Sequence, residues 1–289
     1  MNLSLKPAWL NKKVSLKSCL EMKGFLRNAR IETVCEQAMC PNIGECFSRR
    51  QATFLILGRY CTRGCSFCNI AKGLPSAPEP DEPARVAEAV ARLSLIHAVI
   101  TSVTRDDLPD GGAGMFVETV LSIRRRCGGV SIEILIPDFN LNQDAIKAVA
   151  GSPADIVAHN IETVPALYRL VRQGSDYSRS LKVLEEIKKI SPHLKTKSGL
   201  MLGLGENRQE VVSAVHDLRL AGCDFLSIGQ YLAPSRSHYP VKEYVSPEMF
   251  AQYKDMALEA GFLHVESGPY VRSSYLAGEY LKDVQDEQE

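Results

Sequence analysis

"RYCTRGCSFCNIAKG", residues 59–73, carries three cysteines in eight positions, Cys61, Cys65 and Cys68, and takes over where an apolar run, "ATFLILGRY" (52–60), ends. A short apolar run of that kind reads as a buried strand. Just upstream, "VCEQAMCPNIGEC" (34–46) holds a second trio, Cys35, Cys40 and Cys46, so six of the nine cysteines fall within 34 positions. In parallel βα barrels chemistry collects at the C-terminal ends of the strands. A cysteine loop at the end of the first strand is therefore placed where such a fold would put a site.

The rest of the chain continues the alternation. Expected strands cover 97–104, 131–138, 155–163, 195–205, 224–232 and 263–268, and expected helices 83–94, 114–126, 142–151, 178–191, 207–222 and 246–261. Val86, Val90 and Leu93 show the helical spacing, Gly151 and Gly222 stand as helix stops, and Ser246–Pro247 is a cap followed by a first-turn proline. Short Val/Ile/Leu-rich strands separated by helices imply a parallel sheet covered by helices. The expected fold is α/β, a partial parallel (βα)6-type barrel over 53–268. An N-terminal extension (1–52), irregular apart from a helical pattern at Ser15–Arg27, and a C-terminal one (269–289) would cover the barrel mouth.

Lys plus Arg number 34, as do Asp plus Glu, so the formal net charge is zero and no overall field favours nucleic acid or an anionic membrane. The arginine run 124–126 reads as a solvated helix end. No segment approaches the ~18 apolar residues of a membrane helix, and no secretory signal is evident. An odd cysteine count without an export route argues against a disulfide framework and for a reducing, cytoplasmic setting with free thiols. Cys127 and Cys223 read as ordinary core thiols, and Cys19 lies on the first helical pattern without a nameable partner.

Structural zinc usually takes paired knuckles, and neither trio has that spacing or a nearby histidine. A 4Fe–4S cube is held by thiolates at its corners, and three ligands from one loop leave an iron open for a small molecule. Both metals remain open on spacing alone. "CTRGCSFC", with Phe67 before the last cysteine, resembles the CxxxCxxC loop of the radical S-adenosylmethionine (SAM) enzymes. Cys35, Cys40 and Cys46 resemble the CxxxxCxxxxxC motif of the lipoyl synthase family within that superfamily. "KPAWL" (6–10), "SVTRDDLPDGGA" (102–113), "HNIET" (159–163) and "RSSYLA" (272–277) resemble the same family, in order, over nearly the whole chain. The biotin synthases share the first loop but lack the upstream trio.

The resemblance implies a sulfurtransferase with S-adenosylmethionine and two 4Fe–4S clusters: one on Cys61, Cys65 and Cys68, and an auxiliary one, the sulfur donor, on Cys35, Cys40, Cys46 and a serine, Ser274 before Ser273. It implies an octanoyl substrate on a lysine of lipoyl carrier domains, the glycine-cleavage H protein and the acyltransferase subunits of 2-oxoacid dehydrogenases. It further implies a reductant such as flavodoxin or ferredoxin and an iron–sulfur carrier protein. An unactivated methylene needs no nucleophile–base pair, and none is found. Asn160 and Glu162, at the end of the fourth strand, would bind ribose, methionine or the lysine amide, or else simply face water. Gly111 and Gly112 would bring backbone near the methionine amine, or else form a tight turn before a helix. Arg179 and Arg272 are carboxylate or ribose partners, or surface arginines. His159 reads as a satisfied strand-end side chain.

Overall fold

The computed structural model describes residues 6–10 and 16–281. Ser15, and residues 282–289 of the expected C-terminal extension, lie outside the described residues. The N-terminal part is more ordered than its sequence suggests: α1 (Leu16–Asn28), β1 (Glu32–Thr33), α2 (Val34–Gln37) and α3 (Ile43–Ser48). Then follow β2 (Thr53–Ile56), the small pair β3 (Tyr60–Cys61) and β4 (Ala71–Lys72), α4 (Glu82–Leu93), β5 (His97–Ser102) and α5 (Ala113–Arg126). The chain continues through β6 (Ser131–Leu135), α6 (Gln143–Ala150), β7 (Ile156–Ala158), α7 (Tyr168–Val171), α8 (Tyr177–Ile190) and β8 (Lys195–Leu202). It closes with α9 (Arg208–Leu220), β9 (Phe225–Gln230), α10 (Pro247–Glu259) and β10 (His264–Gly268).

The main sheet runs β1-β2-β5-β6-β7-β8-β9-β10. Seven strands follow one another in chain order and pair in parallel, and only β1 joins antiparallel, at the β2 edge. Among the described residues β10 pairs with β9 alone, so the sheet is open. Each crossover helix buries an apolar stripe. In α4 it comprises Val86, Ala87, Ala89, Val90 and Leu93, each large side chain contributing about 1.5–3 kcal/mol. The helix starts follow their caps: Asn207 and Glu210 form a reciprocal capping box on α9, and Ser246 accepts from Met249 N on α10. Gly222 stops α9 with φ +82°. Gly151 caps α6 with φ −88°, so it makes no use of the left-handed region.

Two features inside the sheet were not legible beforehand. Near the strands' N-terminal ends, Lys197 Nζ lies 2.9 and 3.2 Å from the Glu133 carboxylate, with both side chains fully buried. Tyr280 closes that end: its ring stands 3.8 Å from Lys197 Nζ and 5.5 Å from the Phe225 ring. The C-terminal segment therefore runs from the mouth, at Val271–Ser274, down to the opposite end at Tyr280.

Candidate active site

The loop between β3 and β4 is fastened at several points. Thr62 N donates to Thr104 O (3.1 Å), Ser66 N to Val171 O (2.9 Å) and Tyr239 N to Ser66 O (2.9 Å). Its centre is Arg63, between the first two cysteines. The guanidinium donates to Asp106 (2.7 and 2.8 Å), to Asp138 (2.8 and 2.7 Å), to Asn140 Oδ1 (3.0 Å) and to Ser175 Oγ (3.1 Å). Two bidentate forks on one guanidinium fix both position and plane. Arg179 Nε reaches the same Asp138 at 2.8 Å, so Arg179 is neither a free surface arginine nor at the cavity. Burial opposes ionisation of Asp138, but the Arg63 hydrogen bonds and charge outweigh it and hold its carboxyl well below the usual range. Sequence reasoning missed this clamp. Its only signals were an arginine inside the cysteine loop and the paired aspartates of "SVTRDDLPDGGA".

The upstream trio is built differently. Thr33 caps α2 by accepting from Glu36 N (3.3 Å), Cys35 is buried on that short helix, and Cys46 lies on α3. Both ends of the chain are tied together here: Asn42 Nδ2 donates to Tyr270 O (2.6 Å), and Tyr275 OH to Glu45 Oε1 (3.2 Å). Asn69 Nδ2, beside Cys68, donates to Gln37 O (2.8 Å) and links the two trios. Ser274 lines a small cavity of about 50 Å³ together with Cys35, Cys46 and His97. Ser273 instead donates to Asn160 Oδ1 at 3.1 Å.

Between the trios, at the strands' C-terminal ends, lies a cavity of about 430 Å³. Cys68 and Phe67 form part of its wall, as do Cys35, Cys40, Cys46 and Ser274, and its lining is mostly apolar. Cys61 and Cys65 do not reach it. Gly199 and Gly229 open its floor: a Cβ there would stand 2.8 Å from Asn160 Oδ1 and 2.1 Å from Val271 O. Asn160 and Glu162 both line the cavity, Asn160 Nδ2 donating to Glu162 Oε1 (3.1 Å). Glu162 holds φ +67°, a strained value for a side-chain-bearing residue, fixed by backbone bonds to Gly199 and Met201. Arg272 lines the cavity as well.

Gly111 and Gly112 are not brought to it. They form the turn into α5 with φ +61° and +90°, where a Cβ would stand 2.8 Å from Phe139 Cδ1 and 2.3 Å from Leu57 Cδ1. Packing and a positive φ account for both glycines. His159 donates from Nδ1 to Ile136 O (2.9 Å), while its buried Nε2 has no hydrogen-bond partner. Of the arginine run, Arg124 is an ion-pair member with Asp155 (2.6 Å) rather than a merely solvated residue.

Burial pushes the Cys35 and Cys68 thiols up to about 12, and raises Cys65 as well. Without metal these groups are neutral, and binding a cation must displace their protons. Among the described residues no three His, Cys, Asp or Glu side chains converge as ligands of a single ion would. A tetrahedral zinc would draw its sulfurs to about 3.8 Å from one another, whereas a cubane spreads its thiolates over its corners. Four of the six thiols, Cys35, Cys40, Cys46 and Cys68, line one roomy cavity, and such a soft donor set fits iron–sulfur ligation.

A model of the radical SAM superfamily matches residues 55–218, more than half of the chain, and the chain belongs to that superfamily. Solved structures share the fold. Streptococcus suis SuiB bound to precursor peptide SuiA aligns with TM-score 0.58 at 12% identity, covering 93% of this chain and 58% of that one. Methylornithine synthase PylB aligns with TM-score 0.54 at 15% identity, covering 88% and 79%. Curated relatives narrow the assignment. Lipoyl synthase of Citrifermentans bemidjiense is 58% identical over 96% of this chain and 95% of its own. That of Geobacter metallireducens is 55% identical over 97% and 99%, and that of Caldanaerobacter subterraneus 50% over 94% and 95%. Within the superfamily, the chain belongs to the lipoyl synthase family. No helix among the described residues is long and apolar enough to cross a membrane.

Proposed function

We propose that this chain inserts sulfur at carbons 6 and 8 of an octanoyl group carried in amide linkage on a lysine of lipoyl carrier domains, with Cys61, Cys65 and Cys68 holding a 4Fe–4S cluster. The observation that carries the site assignment is the cavity of about 430 Å³ walled by Cys68 on one side and by Cys35, Cys40, Cys46 and Ser274 on the other. When bound, that first cluster supplies an electron to S-adenosylmethionine and so gives access to hydrogen abstraction from an unactivated C–H bond.

The chain's own residues do the rest. Arg63, locked between Asp106 and Asp138, holds the loop in register with the strand ends. The apolar cavity takes the alkyl chain and keeps water from a reactive carbon. Asn160 and Glu162 offer polar contacts for ribose, methionine or the lysine amide. The auxiliary cluster enters as a sulfur-donating co-substrate on Cys35, Cys40, Cys46 and Ser274. Residues 1–52 and 269–289 act as the two extensions that bring those ligands to the 53–268 barrel. An alkoxide is a weaker iron ligand than a thiolate, which suits a corner that is given up. The reductant is a one-electron donor such as flavodoxin or ferredoxin, and an iron–sulfur carrier rebuilds the consumed cluster, in the reducing cytoplasm.

Anaerobic turnover of the reconstituted full chain with an octanoyl-lysine peptide, read by mass spectrometry, tests this. The expected product carries two added sulfurs, with S-adenosylmethionine cleaved in step. Cleavage without sulfur addition would overturn the reading.

A further inference from the structure

Three segments knit around the cysteine loop: 60–75 itself, 165–175 and 232–242. Ser66 joins them, its Oγ donating to Leu170 O (3.1 Å), its N–H to Val171 O and its carbonyl accepting from Tyr239 N. Together the three segments hold six Arg and Lys and no Asp or Glu, in a chain of zero formal net charge. Two of the six are committed inward: Arg63 to its aspartates, and Arg172, which donates to Tyr168 OH (2.8 Å) and Ser180 Oγ (3.0 Å). Lys72, Arg169, Arg236 and Lys242 are exposed, and among the described residues none has a carboxylate partner. Lys242 instead lies 5.6 Å from the Tyr239 ring. The first carboxylate after these segments, Glu243, borders the patch. Leu74 and Leu170 stand out among these cations, 93% and 55% exposed.

We infer that this basic, leucine-studded face is the docking surface for an acidic protein that donates single electrons. The inference rests on the function proposed above. Charge selects the partner's sign, since an unpaired basic patch on a neutral chain steers an acidic surface. Position selects its role. The patch flanks the loop, to which Ser66 ties both other segments; Leu232, Ala233 and Pro234 border the large cavity where the octanoyl chain must enter, but none of Lys72, Arg169, Arg236 and Lys242 lines it. A donor held on these four cations can thus deliver its electron to the loop while substrate occupies the cavity. In the step served, the donor is oxidised by one electron and the iron–sulfur group on Cys61, Cys65 and Cys68 is reduced by one, with no bond made or broken.

The test compares two reductants on the fully reconstituted chain. Stopped-flow traces follow cluster reduction by a purified, reduced acidic flavodoxin and, separately, by dithionite. Charge reversal at the four sites (K72E, R169E, R236E, K242E) is expected to slow the flavodoxin reaction about tenfold or more and to flatten its salt dependence. Dithionite-driven 5′-deoxyadenosine formation should stay within about twofold, showing that the site itself is intact. If dithionite activity also falls, the single reversals K72E and R236E are used, each expected to slow the flavodoxin reaction about threefold. An unchanged flavodoxin rate overturns the inference. So does an unchanged flavodoxin rate accompanied by a raised KM for octanoylated carrier under dithionite, which would give the face to the carrier. Wild-type protein that forms no 5′-deoxyadenosine with dithionite would instead sink the function itself.

Discussion

The two cysteine trios differ in where their support comes from. Cys61, Cys65 and Cys68 sit on one loop that the barrel grips from several sides, with Arg63 fastened to Asp106 and Asp138 at 2.7–2.8 Å. Cys35 and Cys46 sit on two short helices and Cys40 in the turn between them, and the oxygen beside Cys35 and Cys46, Ser274, comes from near the other end of the chain. One site is local and clamped; the other is assembled from segments 34–46 and 270–275, joined by Asn42–Tyr270 and Tyr275–Glu45 hydrogen bonds. That contrast suits a resident group on the first and a consumable one on the second. Separating the two functions breaks the comparison most sharply. Cys61→Ala, Cys65→Ala or Cys68→Ala should abolish cleavage of S-adenosylmethionine. Cys35→Ala, Cys40→Ala or Cys46→Ala should leave 5′-deoxyadenosine formation measurable and remove the thiolated product. Full product from a freshly prepared variant of the second group would show that its cluster is no sulfur donor.

The clamp comes next in expected effect. Removing one partner of a buried ion pair costs about 3–5 kcal/mol, so Asp138→Asn should lower the melting temperature and reduce cleavage by at least about tenfold. Arg63→Lys cannot supply two forks and should not rescue it. Iron on the upstream trio, measured in a Cys61/Cys65/Cys68→Ala background, should persist in both variants. Loss of iron from the upstream trio in that background would mean that the clamp supports the whole fold rather than the loop.

How legible each region was follows from the same contrast. The barrel's helices and strands are local: Val86, Val90 and Leu93 show their period within one window, and the helix ends fall within two residues of expectation. The clustering of the six cysteines was legible in the spacing, and the structure sets four of them, Cys35, Cys40, Cys46 and Cys68, around the large cavity. Arg63 was not legible, because its partners lie 43 and 75 residues away and a lone arginine in a loop has no periodicity to betray it. The buried Lys197–Glu133 pair was hidden likewise, each residue looking like an ordinary charge in its own strand. The Gly111–Gly112 pair reads equally as a ligand contact or as a tight turn before a helix, and the structure has the turn, with Phe139 and Leu57 filling the space beside it. That packing depends on tertiary neighbours that no local pattern encodes.

The serines sharpen the comparison at a finer scale. Ser274 shares the small cavity with Cys35 and Cys46, while Ser273 is spent on Asn160. Ser274→Ala should cut product severalfold and, on the proposed auxiliary cluster, change the Mössbauer parameters of one iron, with cleavage retained. Ser273→Ala removes one hydrogen bond, about 1 kcal/mol, and should leave that spectrum alone. The reverse pattern would exchange the two assignments.

The smallest expected effect is on the metal-free protein in mild acid, and it reaches both sides. Burial pushes His159, behind the clamp, down to about 4, and pushes His97, beside the upstream trio, down to about 3. Both are thus neutral in the fold, whereas an unfolded histidine protonates near 6.5. Between about pH 4 and 6.5 the unfolded chain therefore binds more protons. The stabilisation is fully present above about pH 6.5 and is lost as pH falls toward the folded values, at no more than about 1.4 kcal/mol per unit for each histidine. Asp138, whose carboxyl is held low, contributes to acid sensitivity only below about pH 4. Melting temperatures from pH 7 to 5 should fall, and His97→Gln and His159→Gln should each flatten the slope by about half, since either histidine alone supplies one of the two protons. Identical slopes in wild type and both variants would locate the acid sensitivity elsewhere, leaving the two sites alike in acid.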